Sequence, residues 1–384
     1  MKTCIIGCWY NRKVYGYYTS NLKMAIEENF NSSVKVITSK CSCYTGVEGD
    51  LLKGNFDLVS IRYFTEKRWP SSNRWKFYAR INLRKLLEEI RGVIFLQKCK
   101  DCDVIHMQQV LRAFGFRSVR SFLRIPTSGK RIITVHELEP FQKEKKKVNK
   151  VYNKADAIIV HTEEMKQKLA GLGVDESKIR IIYYGTPIRP IKDFPRKHVI
   201  FCGGHHITKG KGFIDLLEAI KILKEDGRDL TIYIYGNFSD KKEGVALAEE
   251  KGVNDSLLWQ KEVGSHSEEE LIEQYQRSIF SVIPYTTGSG CNPLTYAMAN
   301  ATPVICSNHL GMAEYLNDCG ILVNPHSPEE LAKGMVQLFD DPSLREDLGS
   351  KGRKRAMEHF SWHRVGKETF ALYRHLLGHQ ADVA

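Results

Sequence analysis

SVIPYTTGSGCNPLTYAMANATPVICSN, residues 281–308, combines an apolar run, a glycine loop, a segment of small residues and a second apolar run. This order predicts a strand that ends at Pro284, a loop, a helix that starts at Pro293, and a strand that starts at Thr302. Glycines let backbone N–H groups approach an anion, and a helix N-terminus carries a partial positive charge. The loop has the chemistry of a phosphate-binding loop, but turns in any α/β domain share this spacing. Whether it binds phosphate therefore has to be inferred together with the other segments of the chain.

The same alternation continues along the rest of the chain. Helix-like segments with apolar residues every three or four positions separate short apolar runs, which is typical of parallel α/β sheets. The strand-like runs lie at residues 3–8, 34–38, 57–62, 103–107, 131–135, 157–161, 179–183, 198–202 and 231–236. Residues 186–195, TPIRPIKDFP, hold three prolines and predict a linker between two domains.

The composition is that of an ordinary globular protein, with 42% hydrophobic and 27% charged residues among 384. No apolar run is long enough to cross a membrane, and the patch after Lys2 is too short and polar for a signal peptide. We therefore expect a cytoplasmic protein with reduced cysteines. The C-x-x-C pair Cys99 and Cys102 fits a redox-active dithiol, although we expect two surface thiols. No cysteine spacing completes a zinc ligand set, so no metal site is predicted.

Positive charge is concentrated in the first half of the sequence. Residues 1–185 contain 34 lysines and arginines against 18 aspartates and glutamates, whereas the remainder contains 23 against 27. A one-sided basic surface favours an acidic partner, such as anionic lipid, a phosphorylated acceptor or nucleic acid. Residues 109–124 interleave four arginines with aromatic and leucine side chains, which fits a segment on an anionic membrane and equally fits arginine stems that cover a core helix. The sequence has no nucleic-acid recognition motif.

Further segments have the residue types of ligand sites. Gly16, between Tyr15 and Tyr17, lies in a predicted loop after the first strand, where it brings backbone close to a ligand; the tyrosines stack on that ligand or pack the loop. His136 follows a predicted strand, at the edge where parallel sheets bind ligands. Residues 203–212, GGHHITKGKG, form a basic glycine loop that opens a helix and can cradle phosphate, although it lacks the Walker pattern.

The segments ADAIIVHTEEMKQKLAGLG, GGHHITKGKGFIDLLEA, IPYTTGSGCNPLTYAMANATPVICSNHLGMAEYL and FSWHRVGKETFALYRHLL occur in an order typical of one family. By these motifs the chain resembles the GT-B glycosyltransferases of the family-4 type (glycosyl transferases group 1), which use nucleotide-sugar donors. The resemblance implies an α/β fold of two Rossmann-like, doubly wound domains facing a cleft. These are an N-terminal acceptor domain of residues 1–190, to which a helix at 363–384 crosses back, and a C-terminal nucleotide-sugar domain of residues 191–362.

The resemblance also implies roles for particular residues. His136 and Lys211 match catalytic positions, with His136 beside the transferred sugar and Lys211 at the donor diphosphate. Tyr15, Tyr17 and His136 are expected to contact the acceptor. The expected donor-binding residues are Gly16, Gly204, His205, Lys211, Gly236, Ser289, Asn292, Pro293, Leu294, Tyr296 and Glu314.

The chain departs from the family pattern at the donor site. His205 stands where the family has a phosphate-binding arginine, and a histidine is only partly charged near neutrality. The paired glutamates of the family fall on Gly288 and Tyr296, of which Tyr296 could replace a carboxylate by a hydrogen bond or by stacking. No aspartate or glutamate lies between Glu273 and Glu314, so no shift of the alignment restores the pair.

Two functions follow from these observations. The first is a retaining, metal-independent hexosyltransferase that needs no cofactor and uses a nucleotide-diphosphate sugar as donor. Its acceptor would be a lipid-linked or anionic glycan precursor in polysaccharide or glycoconjugate biosynthesis. We then expect peripheral contact with the inner face of an anionic membrane and no nucleic-acid partner. The second is a catalytically silent GT-B protein that acts as a sugar- or partner-binding subunit, which the missing glutamates favour.

Overall fold

The computed structural model describes residues 1–6, 13–30, 32–39, 56–59, 94, 97–108, 127–136, 145–203, 207–208, 210–236, 239–260, 268–287, 291–309 and 311–379. The chain divides into two compact units, Met1–Ile182 together with Val365–Ala384, and Tyr183–Arg364. Each unit has its own parallel sheet and its own apolar core. The parallel α/β class predicted from the alternating pattern is confirmed, as are the two Rossmann-like domains that the resemblance implies.

The first unit is built on a seven-stranded parallel sheet with the strand order β3-β2-β1-β4-β5-β6-β7. The strands are β1 Thr3–Ile6, β2 Val34–Ser39, β3 Phe56–Val59, β4 Val104–Gln108, β5 Lys130–Thr134, β6 Ala157–Val160 and β7 Ile179–Ile181. Its described helices are α1 Lys13–Phe30, α2 Lys145–Tyr152, α3 Glu163–Gly171 and, from Val365 onward, α11 Trp362–Leu376. Since parallel strands are covered on both faces, β1 and β6 are buried at every position.

The second unit is built on a six-stranded parallel sheet with the strand order β10-β9-β8-β11-β12-β13. The strands are β8 His198–Cys202, β9 Ile232–Tyr235, β10 Leu257–Trp259, β11 Ser278–Ile283, β12 Val304–Ser307 and β13 Ile321–Val323. The described helices are α4 Phe213–Glu225, α5 Lys241–Glu250, α6 Glu268–Gln276, α7 Cys291–Ala299, α8 Met312–Leu316, α9 Pro328–Asp340 and α10 Pro342–Arg355.

Helix α4, FIDLLEAIKILKE, illustrates how the sequence determines packing in the second unit. Its apolar residues recur every three or four positions, so they share one face of the helix. That face places Phe213, Leu216, Leu217, Ile220 and Leu223 in the core, each at most 2% exposed. Burial of each of these side chains stabilises the fold by roughly 1.5–3 kcal/mol.

Helix α11 completes the first unit by packing against α1. The rings of Phe30 and Phe370 stack with their centroids 4.0 Å apart. Gly366 permits this close approach, because a Cβ on it would lie 2.7 Å from a methyl carbon of α1. Further along α11, the hydroxyl of Tyr373 lies 2.6 Å from Nδ1 of His106 on β4. Residues near the end of the chain therefore pack in the first unit, against elements formed by residues near its beginning.

The predicted loop around Gly16 is wrong. Helix α1 begins at Lys13, so Tyr15, Gly16 and Tyr17 lie within its first two turns. A single glycine costs a helix only about 1 kcal/mol, which is too little to end it when the flanking residues favour its continuation.

The expectation that Cys99 and Cys102 are surface thiols is also wrong. Cys99 is fully buried and Cys102 is 9% exposed, and both belong to the apolar core of the first unit. Their charged sequence neighbours, Lys98, Lys100 and Asp101, suggested the surface, but the chain turns at this point and directs the two thiols inward.

Candidate functional site

The two glycine loops of the second unit lie at the point where its strand order reverses. From β8 the chain passes to β9 on one side of the sheet, and β11 lies on the other side of β8. In open α/β sheets, ligands bind in the crevice at the carboxyl ends of such a pair of strands. The loop after β8 contains Lys211, and the loop after β11 is the TTGSG segment, so both predicted phosphate loops start from this edge.

Backbone contacts join these two loops. The N–H groups of Thr286 and Thr287 donate to the carbonyl of Gly210 at 3.2 and 3.1 Å. Gly210 and Gly212 have φ angles of 69° and 65°, in the left-handed region that favours glycine. A Cβ on Gly210 would lie 1.7 Å from Oγ1 of Thr287, and one on Gly212 would lie 1.7 Å from the carbonyl oxygen of Pro284. Both glycines are thus required for the loops to meet.

Lys211 lies between these glycines and packs over an aromatic ring. Its ammonium nitrogen is 3.9 Å from the ring centroid of Tyr285, which is a cation–π contact. Tyr285 is buried, and its hydroxyl donates to the carbonyl of Cys202 at the end of β8. The ring is therefore fixed to the sheet, and it orients the lysine at the carboxyl edge of β8 and β11.

Seven further expected donor-binding residues of the second unit fall into three groups. Asn292, Pro293 and Leu294 lie in the first turn of α7, where the helix dipole is positive, with Leu294 fully buried. Gly236 follows β9, and its N–H donates to the side-chain oxygen of Gln260 at 3.0 Å. Outside the described residues lie Gly204, His205 and Ser289.

Tyr296 contacts a carboxylate that sequence reasoning missed. Its side chain is 3% exposed, and its hydroxyl donates to Oε1 of Glu268 at 2.7 Å. The other carboxylate oxygen of Glu268 lies 3.8 Å from the guanidinium of Arg189. Burial raises the pKa of Glu268, and the hydrogen bond from Tyr296 opposes this. The sequence has no carboxylate between Glu273 and Glu314, whereas this one comes from the start of α6, which only the tertiary structure brings to α7.

Glu314 supports the local fold of the second unit. It lies in α8 after Gly311, whose φ of 75° is again left-handed. Its Oε1 accepts a hydrogen bond from the hydroxyl of Tyr183 at 2.9 Å, and its backbone carbonyl accepts one from Arg355 at 2.8 Å. Its carboxylate thus fixes the side chain of Tyr183, the first residue of this unit.

In the first unit, hydrogen bonds connect polar side chains at the carboxyl ends of three neighbouring strands. Gln108 ends β4, His136 follows β5 and His161 follows β6. Nε2 of His136 lies 3.0 Å from the side-chain oxygen of Gln108, and its Nδ1 lies 2.7 Å from Nε2 of His161. Nδ1 of His161 lies 2.8 Å from the carbonyl oxygen of Ile182. We call this set of residues the histidine chain; each of its side chains is at most 3% exposed.

The partners of the histidine chain determine where its protons lie. A carbonyl only accepts, so neutral His161 carries its proton on Nδ1 and accepts at Nε2 from Nδ1–H of His136. Nε2 of His136 is then an acceptor, and Gln108 satisfies it when a half-turn of the amide presents the NH2 group. Burial lowers the pKa of His136 well below its usual range, and His161 and His106 add to this. Burial also lowers the pKa of His161 to about 4, against an opposing hydrogen bond to Ile182. Both rings are therefore neutral at pH 7.

These bonds restrict what His136 can do. Both of its ring nitrogens are engaged within the first unit, and the ring of Tyr18 packs edge-on with its centroid 4.7 Å away. A ligand that bonds to this ring has to replace Gln108 or His161. Sequence reasoning identified His136 from its place after a strand, but no spacing rule could identify its partners on β4 and β6.

The expected acceptor residues of α1 are described only in part. Tyr17 is half-buried, and its hydroxyl is buried without a hydrogen-bond partner among the residues that the structure describes. Gly16 and Tyr15 lie in the same helix, but the surroundings of these two residues are outside the described set. The arginine-rich segment 109–124 is outside it as well. Their contacts with an acceptor stay predictions.

Among the residues that the structure describes, no helix is long and apolar enough to span a bilayer. Likewise, no group of three or more histidine, cysteine, aspartate or glutamate side chains among these described residues is arranged to hold a metal ion.

Comparison with known proteins adds the family. The model described as Glycosyl transferases group 1 matches residues 186–355, and the model described as Glycosyltransferase Family 4 matches residues 33–189. An uncharacterized glycosyltransferase of Methanocaldococcus jannaschii is 23% identical over 59% of this chain and 60% of its own length. The MMP alpha-(1->4)-mannosyltransferase of Mycolicibacterium hassiacum is 30% identical over 42% of this chain and 39% of its own length. The matches thus span less than two thirds of the length of both relatives.

A solved structure agrees along nearly the whole chain. The structure of an S. aureus TarM mutant in complex with Fondaparinux, alpha-GlcNAc-glycerol and UDP has a TM-score of 0.72 at 13% identity. The match covers 97% of this chain and 99% of that one. At this identity the match shows the fold alone, which is the GT-B fold. The two family models adjoin and together span residues 33–355, and they show that the chain belongs to the family-4-like glycosyltransferases, the glycosyl transferases group 1.

Proposed function

We propose that this protein transfers a hexosyl group, with retention of anomeric configuration and without a metal ion, from a nucleotide-diphosphate sugar to a glycan acceptor. The observation that carries the proposal is the pairing of two glycine loops around Lys211 at the carboxyl edge of β8 and β11. Family membership supports the reaction class, and the UDP in the TarM complex supports a nucleotide diphosphate as the leaving group.

The charge arrangement suits such a leaving group. When the bond from the anomeric carbon to the diphosphate breaks, negative charge grows on the phosphate oxygens. A cation and backbone N–H groups already in place stabilise that charge without reorganisation, and the loss of one such group typically costs 10²–10³ in rate. Here Lys211 is the cation, and the first turn of α7 supplies N–H groups and the positive end of a helix dipole. Asn292 would bond to sugar hydroxyls.

The acceptor follows from charge. The excess of lysine and arginine in residues 1–185 favours an anionic acceptor, such as a lipid-linked or phosphorylated glycan precursor of polysaccharide or glycoconjugate assembly. We propose that His136, in the first unit, bonds to the sugar or the acceptor as its neutral form. That bond replaces one of its bonds in the histidine chain.

Calorimetric titration with UDP and GDP tests the donor site. We expect one of them to bind the wild type, and Lys211→Ala to weaken that binding by about tenfold or more, because a hydrogen bond to a charged group contributes about 1.5–3 kcal/mol. Lys221→Ala is the matched control, because this lysine is on the exposed side of α4 and its only described ion pair is with Glu225 in the same helix. Equal binding by wild type and Lys211→Ala would remove the assigned role of Lys211. If neither nucleotide binds, the catalytically silent subunit becomes the better explanation.

A further inference from the structure

Three cysteines meet in the core of the first unit. Cys4 lies on β1, and Cys99 and Cys102 lie in the turn that leads into β4, the neighbour of β1. The sulfur atoms of Cys4 and Cys99 are 3.2 Å apart, and the Cys102 thiol is near enough to Cys4 for a side-chain hydrogen bond between them to raise the pKa of Cys4. A backbone hydrogen bond of 3.0 Å from Cys102 to Cys99 holds the turn. Cys4 is therefore in contact with both other thiols.

The environments of these thiols differ. Cys4 and Cys99 are fully buried, whereas Cys102 retains 9% exposure. The hydrogen bond from Cys4 lowers the pKa of Cys102 to about 7, against the effect of burial, and the charge of Lys35 adds to the lowering. Lys35 is the register partner of Cys4 on β2, so the sheet itself holds that charge nearby. The same contacts raise the pKa of Cys4.

These differences assign separate roles. Thiolates, not thiols, react with peroxides, and at pH 7 a thiol with a pKa of about 7 is roughly half ionised, whereas an ordinary cysteine is ionised to a few per cent. Cys102 is thus both the most nucleophilic and the most accessible of the three. Cys4, protonated and in contact with Cys102, is placed to attack an oxidised sulfur at that position.

We propose that Cys4, Cys99 and Cys102 form an oxidisable thiol site, in which a hydroperoxide oxidises Cys102 and Cys4 then closes a disulfide with it. In the first step, the Cys102 thiolate takes one oxygen from hydrogen peroxide and becomes a sulfenic acid, and hydroxide leaves. In the second, the Cys4 sulfur displaces hydroxide from that sulfenic acid, and the proton lost by Cys4 makes the hydroxide water. Two thiols lose two electrons, and the peroxide becomes two waters.

Cys99 gives the disulfide a second position. Because its sulfur touches that of Cys4, its thiolate can attack Cys4 and release Cys102 as a thiolate, which leaves the oxidation state unchanged. Either product ties β1 to the turn before β4. The site is independent of the donor loops, which lie in the second unit.

Peptide mapping tests the proposal on the full-length protein. The protein is treated with hydrogen peroxide, denatured, alkylated and digested with trypsin, which cuts after Lys2, Lys98 and Lys100 and so separates the three cysteines. We expect a disulfide between the Cys4 peptide and a peptide of Cys102 or Cys99, removed by dithiothreitol. Because Cys8 is on the same peptide as Cys4, the mapping is repeated in Cys8→Ser, which should keep the disulfide.

Variants assign the roles. Cys102→Ser should slow disulfide formation by about tenfold or more, because the raised pKa of Cys4 keeps its thiol protonated and Cys99 is fully buried. Cys4→Ser should leave Cys102 as a sulfenic or sulfinic acid. Cys319→Ser, a buried cysteine of the second unit, is the control and should behave as wild type; circular dichroism checks that each variant is folded. Full alkylation of Cys4 and Cys102 after peroxide overturns the site, and an unchanged rate in Cys102→Ser overturns its role as the reacting thiol.

Discussion

Replacing Gly212 with alanine should separate the two loops that form the proposed donor site. Gly212 has a φ of 65°, and a Cβ there would lie 1.7 Å from the carbonyl oxygen of Pro284. The left-handed conformation alone costs an alanine roughly 1–2 kcal/mol. The clash adds to this, because the obstacle is backbone and cannot rotate away. To restore ordinary contact, the loops after β8 and β11 have to move apart by roughly 2 Å.

Such a displacement affects the neighbouring lysine directly. A misplacement of about 1 Å at a reacting centre can cost about 10²-fold in rate, so we expect Gly212→Ala to lower transfer by about that factor and to weaken nucleotide-diphosphate binding. Urea denaturation gives the loss of stability, and calorimetry gives the loss of binding. Both are measured on the same preparation.

Gly227→Ala is the matched control for this substitution. Gly227 also has a left-handed φ, 74°, but no atom lies within 4 Å of a Cβ built on it. It should lose only the conformational 1–2 kcal/mol and keep full nucleotide binding. If the two variants lose equal stability and both bind nucleotide normally, the loops do not depend on close contact at Gly212, and our account of their packing is wrong.

Two other predictions concern buried polar groups. Tyr296→Phe removes the hydroxyl that donates to Glu268, so it should raise the pKa of that carboxyl further. It should also reduce the free energy of unfolding in urea by about 1–3 kcal/mol. An unchanged free energy of unfolding would mean that this hydrogen bond contributes nothing to stability. The histidine chain should make the protein acid-sensitive, because the pKa of His161, about 4 when folded, is about 6.5 in an unfolded chain, which then binds the proton more tightly. The contribution of His161 to the free energy of unfolding is thus complete above pH 6.5 and falls by up to about 3 kcal/mol as the pH falls to 4. His161→Gln should therefore make the free energy of unfolding in urea depend less on pH across this range. An unchanged pH dependence would contradict this account.

Much of the fold was predictable because most of its strands and helices have a recognisable pattern in their own residues. The apolar runs of β1 and β6 and the helical periodicity of α4 need no information from distant residues. The same holds for Lys211, whose flanking glycines are visible in the sequence. Its contact with the Tyr285 ring is not, because that contact depends on β8 and β11 being neighbours in the sheet.

What escaped prediction depends on contacts between distant residues. Glu268 meets Tyr296 across 28 positions, which no motif spacing covers. The charges beside Cys99 and Cys102 suggested a surface, and only the pairing of β1 with β4 shows that the thiols face Cys4. The sequence shows that a polar or charged side chain requires a partner, but the order of strands in the sheet determines which residue that partner is.

The position of α11 has a consequence for the order in which the protein matures during synthesis. Tyr373, which bonds to His106, follows it by 267 residues, a distance that a ribosome covers in roughly 10–50 s. The whole of the second unit is translated in that interval and can reach its final state first. The first unit meanwhile waits with α1 uncovered where Phe370 will stack, which makes it a natural client for chaperones on the nascent chain. The first unit, most of which is translated before the second, is thus the unit that finishes folding last.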